Sequence, residues 1–413
     1  MKDTKIGVIG LGYVGLPLAI TASECGWLVI GYDKNEEMVE GLAQGFSHID
    51  DVPNSRLGKA LSSNSFKPTI NPADLSDVDI CIICVPTPTT VSHEPDLSHV
   101  ISASTSIAQV LKPTCVVVNE STSFPGTLKE KIQKTILEIR GETGDLAGYV
   151  AAPERVDPMN PKYNHANTPR VIGGDNPIQV SRVQAFYSSL GPEVLVVSSP
   201  EAAEFSKLIE NAFRLVNISF INELAPYASA LGVDLLEVID AAATKPFGFM
   251  KFVPGPGVGG HCIPVDPHYL INSAKNFGVH LPVLDSAISV NLSVPKKVVE
   301  GIVSLLQGKS DSSILLIGVA YKSGISDTRE SPAIPIAQEL VELGYKVFWT
   351  DNEVETWGFA QKYNGEEVQL GVALTSSSQE QVIKLAIQMK ILDCTGRHKQ
   401  NEKVISYFSH RHI

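Results

Sequence analysis

Three glycines, Gly10, Gly12 and Gly15, stand between the apolar run KIGVI and a segment of helical periodicity that begins near Val14. Few backbone arrangements accommodate that spacing between a strand and a helix. The first glycine permits a tight turn. The second removes the side chain where a ligand's pyrophosphate must approach the backbone, and the third lets helix and strand pack closely. The helix then presents its first N–H groups and the positive end of its dipole to bound phosphates. The spacing by itself is a weak signal, and its strand-turn-helix context is what makes it a dinucleotide-binding turn, to which Tyr13 and Val14 also belong. Asp33 ends the next apolar run, WLVIGYD, 18 residues after Gly15. A carboxylate there accepts hydrogen bonds from a ribose diol and repels a 2′-phosphate, so the expected cofactor is NAD, with Lys34 softening the preference against NADP. The competing reading keeps the glycines for packing and Asp33 as a strand-end cap.

The rest of the chain extends this pattern. The runs KIGVIG, WLVIGYD, DICIICV, CVVVNE and GYVAAPE alternate with helical stretches over residues 5–151, as in a doubly wound sheet. A second series opens at SILLIGVAYK (313–322) and passes through AIPIAQELVELG to KVFWTD, ending on Asp351, and then to KILDCTG. Its first turn lacks GxGxxG. Between the two series, EAAEFSKLIENAFRLVNISFINELAPYASALG carries apolar residues at three- and four-residue spacing and predicts one long helix. The following PFGFMKFVPGPGVGGHCIPVDP is too rich in Gly and Pro for regular structure. The expected fold is α/β, with two Rossmann-like doubly wound domains joined by a central helical domain with a long connecting helix. Its divisions are 1–198, a NAD-binding Rossmann domain, 199–300, a helical linker and dimerisation domain, and 301–413, a C-terminal Rossmann-like domain.

Charge and composition exclude several classes. A net charge of −12 argues against nucleic-acid or anionic-membrane partners. No stretch approaches the ~18 uninterrupted apolar residues of a membrane span. MKDTKIGVIG runs straight into a strand and offers no signal peptide, so a cytoplasmic location is expected. Cys81 and Cys84 form a CxxC inside a continuously apolar strand. Positions i and i+3 of a strand point to opposite faces, so the pair reads as core rather than as a metal clamp.

A second chemical centre lies in GVGGHCIPVDP, where Cys262 precedes Asp266 by four residues. Its neighbours let a ligand approach, which marks Cys262 as a nucleophile candidate. In a nicotinamide enzyme such a cysteine captures an aldehyde as a thiohemiacetal, which loses hydride to become a thioester. Metal binding by His261, Cys262, Asp266 and His268 is the rival reading. Adjacent residues rarely coordinate one metal together, and no metal is expected. Lys207, Asn211 and Arg214 fall at i, i+4 and i+7 of the long helix, on one face of an otherwise apolar element.

The motifs GLGYVGLP, VPTP, NESTSFPGT, APERV, KLIENAFRLVNI, PGPGVGGHCIPVDP and YKSGISDTRESP occur in this order. Together they resemble the UDP-glucose/GDP-mannose dehydrogenase family of nucleotide-sugar dehydrogenases over nearly the whole chain. The resemblance implies oxidation of a sugar C6 alcohol to a carboxylate with two NAD, the aldehyde being retained, in the service of surface polysaccharide synthesis. It implies Cys262 as nucleophile, Lys207 and Asp266 as proton-handling groups, and the Asn211 amide as a stabiliser of charge at the C6 oxygen. Glu154 would activate the water that hydrolyses the thioester, helped by Thr122. Arg155, Val156, Lys207, Asn211, Arg214 and Gly259 would contact the UDP-sugar, with Lys322 and Arg329 reaching the cleft, in a homodimer or higher homo-oligomer. Thr87 and Thr122 would lie along the NAD. Without the resemblance, Arg329 reads as a surface ion pair, Glu154 as a partner of Arg155, and Thr87 as a loop former.

Within the family, UDP-glucose enzymes usually have Lys where this chain has Val265. GGHCIPVDP and KPFGF, which includes Lys245 and Phe247, look more like enzymes of UDP-N-acetylhexosamines, with UDP-N-acetylglucosamine ahead of UDP-N-acetylmannosamine. Met159 replaces a frequent glycine, and Arg397 stands as the candidate substitute for an arginine often found directly after DT. The rivals from other classes are a two-electron 3-hydroxyacid dehydrogenase, which needs no Cys262, and a nucleotide-sugar binding module without turnover.

Overall fold

The computed structural model describes residues 4–90, 92–141, 144–156, 160, 162–375, 389–395 and 403–406, so Met159 and Arg397 lie outside the described residues. The chain divides into two compact units, one of residues 1–210 with 268–277 and one of residues 211–267 with 278–413.

The first unit carries an eight-stranded sheet: β1 (Lys5–Ile9), β2 (Leu28–Tyr32), β3 (Phe66–Thr69), β4 (Ile80–Ile83), β5 (Val116–Asn119), β6 (Gly148–Ala151), β7 (Arg170–Gly174) and β8 (Val194–Val197). Their spatial order is β3-β2-β1-β4-β5-β6-β7-β8. All neighbours are parallel except β6 and β7, which pair Val150 with Gly174 and Ala151 with Gly173 in antiparallel sense. Helices α1 (Gly15–Glu24), α2 (Glu36–Ala43), α3 (Asn54–Ser62), α4 (Ser98–Ala108), α5 (Lys134–Arg140) and α6 (Pro177–Ser189) lie in the connections. The expected α/β class holds. β3, β7 and β8 are additions to the five strands legible in the sequence, being short and flanked by polar residues.

β4 and β5 are buried on both faces, which explains their unbroken Ile/Val runs: alternation appears only where one face meets water. Ile6, Val8, Ile80, Ile82, Val116 and Val118 form one core layer with Leu16 and Ile20 of α1 and Phe186 of α6. Each such side chain contributes about 1.5–3 kcal/mol on burial. Cys81 and Cys84 are buried free thiols, and only Cys84 joins this layer.

The longest helix, α7 (Pro200–Leu231), continues through Pro226. It is followed by α8 (Leu235–Ala243), capped by the Asp234 side chain. Residues 244–265 contain no regular element, and α9 (Asp266–Lys275) and α10 (Pro282–Leu305) come next. Among the described residues no helix is long and apolar enough to cross a membrane.

The second unit carries β9 (Ser313–Ile317), α11 (Ala333–Glu342), β10 (Lys346–Thr350), β11 (Gln361–Lys362), β12 (Leu370–Ala373), β13 (Lys390–Asp393) and β14 (Val404–Ser406). The strand order β11-β10-β9-β12-β13-β14 repeats the first six positions of the larger sheet, and all its pairings are parallel. The repetition reaches atomic detail. Gly10 and Gly318 both have positive φ, 86° and 81°. Their N–H groups donate to the last carbonyls of the neighbouring strands, Tyr32 at 2.9 Å and Thr350 at 2.8 Å. Asp33 then accepts from the N–H of Leu11 at 2.8 Å, and Asp351 accepts from that of Val319 at 2.7 Å. The second turn keeps this scaffold without the GxGxxG spacing.

Asp351 also accepts from Ala320, Glu353 and Val354. Asp351→Ala is expected to destabilise the second unit by about 2–3 kcal/mol, since a buried turn loses a charged acceptor. Thermal unfolding checks this, and NAD affinity is expected to stay at the parent value.

Candidate active site

Parallel strands end together, so the loops that leave them collect along one edge of the sheet, beside the point where the strand order reverses. In the first unit that reversal lies between β1 and β4. The Gly10–Gly15 turn follows β1, Asp33 follows β2, Thr87 follows β4, Thr122 follows β5 and Glu154 follows β6.

The turn is built as its spacing predicts. A Cβ on Gly15 would lie 1.8 Å from the carbonyl oxygen of Gly10, so α1 reaches the strand only without a side chain there. A Cβ on Gly12 would meet nothing within 4 Å among the described residues. Val14 is the N-cap of α1 and no side chain caps that end, whereas Asn35, Asn176 and Asp234 cap α2, α6 and α8. Asp33 is braced by the N–H groups of Leu11 and Asn35, one on each oxygen. A carboxylate accepting one bond per oxygen keeps further lone pairs for a diol. Tyr13 and Lys34 are exposed at the same edge.

The loops after β4 and β5 are anchored by residues that sequence reasoning missed. The buried Tyr269 hydroxyl of α9 donates to the Thr87 carbonyl at 3.0 Å. Glu204 of α7 accepts from the N–H groups of Gly126 and Leu128 and from the Ser123 hydroxyl, holding the NESTSFPG segment in place. Thr122 sits between the buried Ser121 and Ser123 and is itself only half-buried.

Glu154 does not pair with the Arg155 side chain. Its Oε1 accepts from the backbone N–H groups of Arg155 at 2.7 Å and Val156 at 2.6 Å, and its Oε2 from Arg170 at 2.8 Å. Burial raises its pKa, and the charges of Arg170, His165 and Lys207 with the Val156 N–H more than reverse this, holding it at about 2. Arg170, the first residue of β7, also donates to Glu120 at 2.9 Å. Lys207 is buried on α7. The Arg155 guanidinium is bidentate on Glu210 and donates to the Pro169 carbonyl.

In the second unit the Asn211 amide donates to Asp266 Oδ2 at 2.6 Å, and Asp266 is almost fully buried at the start of α9. The N–H of Asp266 donates to the Cys262 carbonyl at 2.8 Å, so the cysteine loop closes directly onto that helix. Cys262 is half-buried and Arg214 is exposed. The cysteine loop is also joined to the YKSGISDTRESP segment. Gly260 donates from its N–H to the Arg329 carbonyl at 3.0 Å, and a Cβ on Gly259 would lie 2.4 Å from the Glu330 carbonyl oxygen. Arg329 pairs with Asp327 and approaches His261 Nδ1 at 3.2 Å, so it is a surface ion pair and a neighbour of the cysteine loop at once. Lys322 is half-buried on the same segment. Among the described residues, no group of three or more His, Cys, Asp or Glu side chains is arranged to hold a metal ion.

Comparison with known proteins decides the family. Residues 4–191 match the NAD-binding domain, 201–293 the central domain and 315–387 the UDP-binding domain of the UDP-glucose/GDP-mannose dehydrogenase family. The chain belongs to this family. It is an NAD-dependent UDP-sugar 6-dehydrogenase. It is 35% identical to the UDP-N-acetyl-D-glucosamine 6-dehydrogenase of Pseudomonas aeruginosa over 84% of this chain and 82% of that one. The structure of the UDP-D-ManNAc dehydrogenase of Pyrococcus horikoshii superposes with a TM-score of 0.84 at 31% identity, covering 95% and 96% of the two chains. A UDP-glucose dehydrogenase of Pyrobaculum islandicum shares the fold, with a TM-score of 0.88 at 24% identity over 98% of both.

For a dehydrogenase of this family the first turn fits NAD on its own chemistry. Gly15 and Gly10 are demanded by the protein itself. Gly12 is demanded by no described neighbour, which fits a backbone kept bare for a pyrophosphate. This predicts a clean division. Gly12→Ala should unfold at the parent temperature yet bind NAD at least about tenfold more weakly, a loss of about 1.4 kcal/mol. Gly15→Ala should lose about 1–3 kcal/mol of stability or more through overpacking. Calorimetric unfolding and NAD titration of both variants check it.

Proposed function

We propose that this dehydrogenase oxidises UDP-N-acetylglucosamine to UDP-N-acetylglucosaminuronate, with two NAD per sugar, for surface polysaccharide synthesis. The observation that carries this choice is the segment KPFGF, in which Lys245 Nζ stands 4.8 Å over the Phe247 ring. Val265 in place of a lysine argues in the same direction, away from UDP-glucose. UDP-N-acetylmannosamine is the second reading, supported by the likeness to the Pyrococcus horikoshii protein.

Bound NAD supplies a hydride acceptor for each oxidation. Lys207 and Asp266 take and return the proton of the C6 hydroxyl, and the Asn211 amide, oriented by its bond to Asp266, stabilises charge at that oxygen. The Cys262 sulfur bonds to the aldehyde carbon as its thiol proton passes to the carbonyl oxygen, and loss of hydride together with that hydroxyl proton, taken up by Lys207 and Asp266, leaves a thioester. Water then adds its oxygen to the acyl carbon and passes a proton to Glu154, and the C–S bond breaks with sulfur leaving as thiolate. Thr122 assists this step and lies with Thr87 along the cofactor. Val156, Arg214, Gly259, Lys322 and Arg329 are assigned to the UDP-sugar. For Arg155 the pairing with Glu210 argues for a different part, fastening the loop after β6 to α7.

The enzyme is proposed to act as a homodimer. Phe213, Phe220, Tyr227 and Leu231 are exposed at intervals of seven, seven and four residues along α7. This is an apolar stripe on one helix face that a second copy of the same helix can cover.

With NAD and a panel of UDP-sugars, two NADH per UDP-N-acetylglucosamine consumed is the expected yield. One NADH per sugar sinks the four-electron reaction, and none leaves only a binding module. Cys262→Ala is expected to abolish uronate formation with NAD affinity intact, and normal turnover would refute the covalent route. Phe220→Asp with Tyr227→Asp is expected to give monomers by light scattering, and an unchanged mass rejects the α7 interface.

A further inference from the structure

Arg170 is the hub of a buried cluster drawn from widely separated places in the chain. It starts β7, and its side chain is only 5% exposed. One amino group donates to Glu120, directly after β5, and the other to Glu154, after β6. Its guanidinium lies 4.5 Å over the ring of Tyr187, on α6, whose hydroxyl donates to the same Glu120 oxygen at 2.5 Å. The other Glu120 oxygen is buried with no hydrogen-bond partner among the described residues. His165 Nδ1 lies 3.3 Å from Arg170 and 3.6 Å from Glu154. Lys207 acts on Glu154 from α7, and the charges of Glu120 and Arg170 bear on the buried Cys84 thiol.

One guanidinium thus serves two carboxylates in a dry environment, where charges act on each other strongly. This matters because Glu154 is poorly suited to accept a proton. Two backbone N–H groups and Arg170 already stabilise its charge. Basicity in such a group rises only if something competes for the cation. Glu120 competes for it directly, and its own negative charge pushes in the same direction.

We propose that Glu120 is a positioning residue that, by sharing Arg170 with Glu154, sets how readily Glu154 takes the proton from the water that hydrolyses acyl-Cys262. This rests on Glu154 being that base, as proposed above. Glu120 need not touch substrate or cofactor. Burial, outweighing Arg170, raises it to about 7, so its charge changes within the working range of pH. As pH rises and Glu120 ionises, Arg170 is divided, Glu154 gains basicity and hydrolysis accelerates.

The test uses the full-length enzyme, NAD and whichever UDP-sugar yields two NADH, in single turnover with NADH, uronate and intact protein mass all recorded. Glu120→Gln keeps the shape and an acceptor oxygen but removes the charge. It is expected to form NADH at the parent rate, release uronate about three- to tenfold more slowly, and accumulate protein carrying the acyl group. Its uronate release should lose the rise around pH 7 expected of the parent. Tyr187→Phe keeps the ring beneath Arg170 and removes only the donor to Glu120, so that rise should move to higher pH. It also serves as the second probe if Glu120→Gln folds poorly. Parent-like uronate release and pH dependence in these variants, with acyl-enzyme accumulating in Glu154→Gln, overturn the role of Glu120 and leave Glu154 as base. Parent-like release in Glu154→Gln overturns both. Equal slowing of NADH and uronate in Glu120→Gln overturns the proposal too, because it marks a general structural defect.

Discussion

Every loop that follows a strand of a parallel sheet emerges at the same edge, and both sheets of this protein are organised by that geometric constraint. In the first unit it aligns the ends of β1, β2, β4, β5 and β6. The glycine turn, Asp33, Thr87, Thr122 and Glu154 therefore occupy one rim, although they span residues 10 to 154. In the second unit the same order aligns the loop after β9, which carries Lys322 and Arg329, with the loop that Asp351 closes. The antiparallel pairing of β6 with β7 serves the same end. Because β7 runs against β6, its first residue, Arg170, arrives at the rim where β5 and β6 finish.

Electrostatics then differentiates groups that share this rim. Asp33 and Glu154 are both carboxylates at strand ends, but their surroundings differ. Asp33 is half-exposed and braced by two N–H groups, suited to accept a neutral diol. Glu154 is buried, accepts from two N–H groups and shares the Arg170 guanidinium with Glu120, so it stays ionised through any physiological pH. Glu204, also buried, accepts from two N–H groups and a hydroxyl, and burial raises it to about 7. Of the three, only Glu154 is both buried and charge-paired.

The second unit solves a comparable problem with backbone rather than charge. The cysteine loop has no regular structure from residue 244 to 265, so its shape must come from outside contacts. Glu330 and Arg329 supply them through their carbonyls, and Asn211 fixes Asp266 at the first turn of α9. Gly259 thereby has a reason within the protein, a close backbone approach, beside any contact with substrate.

The local pattern of the chain determined the two strand-helix series, the dinucleotide turn, the long helix and the irregular cysteine loop, because each is written in neighbouring residues. GxGxxG, unbroken Ile/Val runs and dense Gly/Pro depend on φ, pleat and helix period, which act over a few positions. Ordered motifs from GLGYVGLP to YKSGISDTRESP likewise named the candidate site. Tertiary structure alone decided what surrounds those residues. Arg170, Tyr187, His165, Glu204 and Tyr269 carry no local signature in the sequence. Their roles arise when β5, β6, β7 and α6 bring residues 120, 154, 170 and 187 together in the core. A charge there must find a partner, however far along the chain that partner lies.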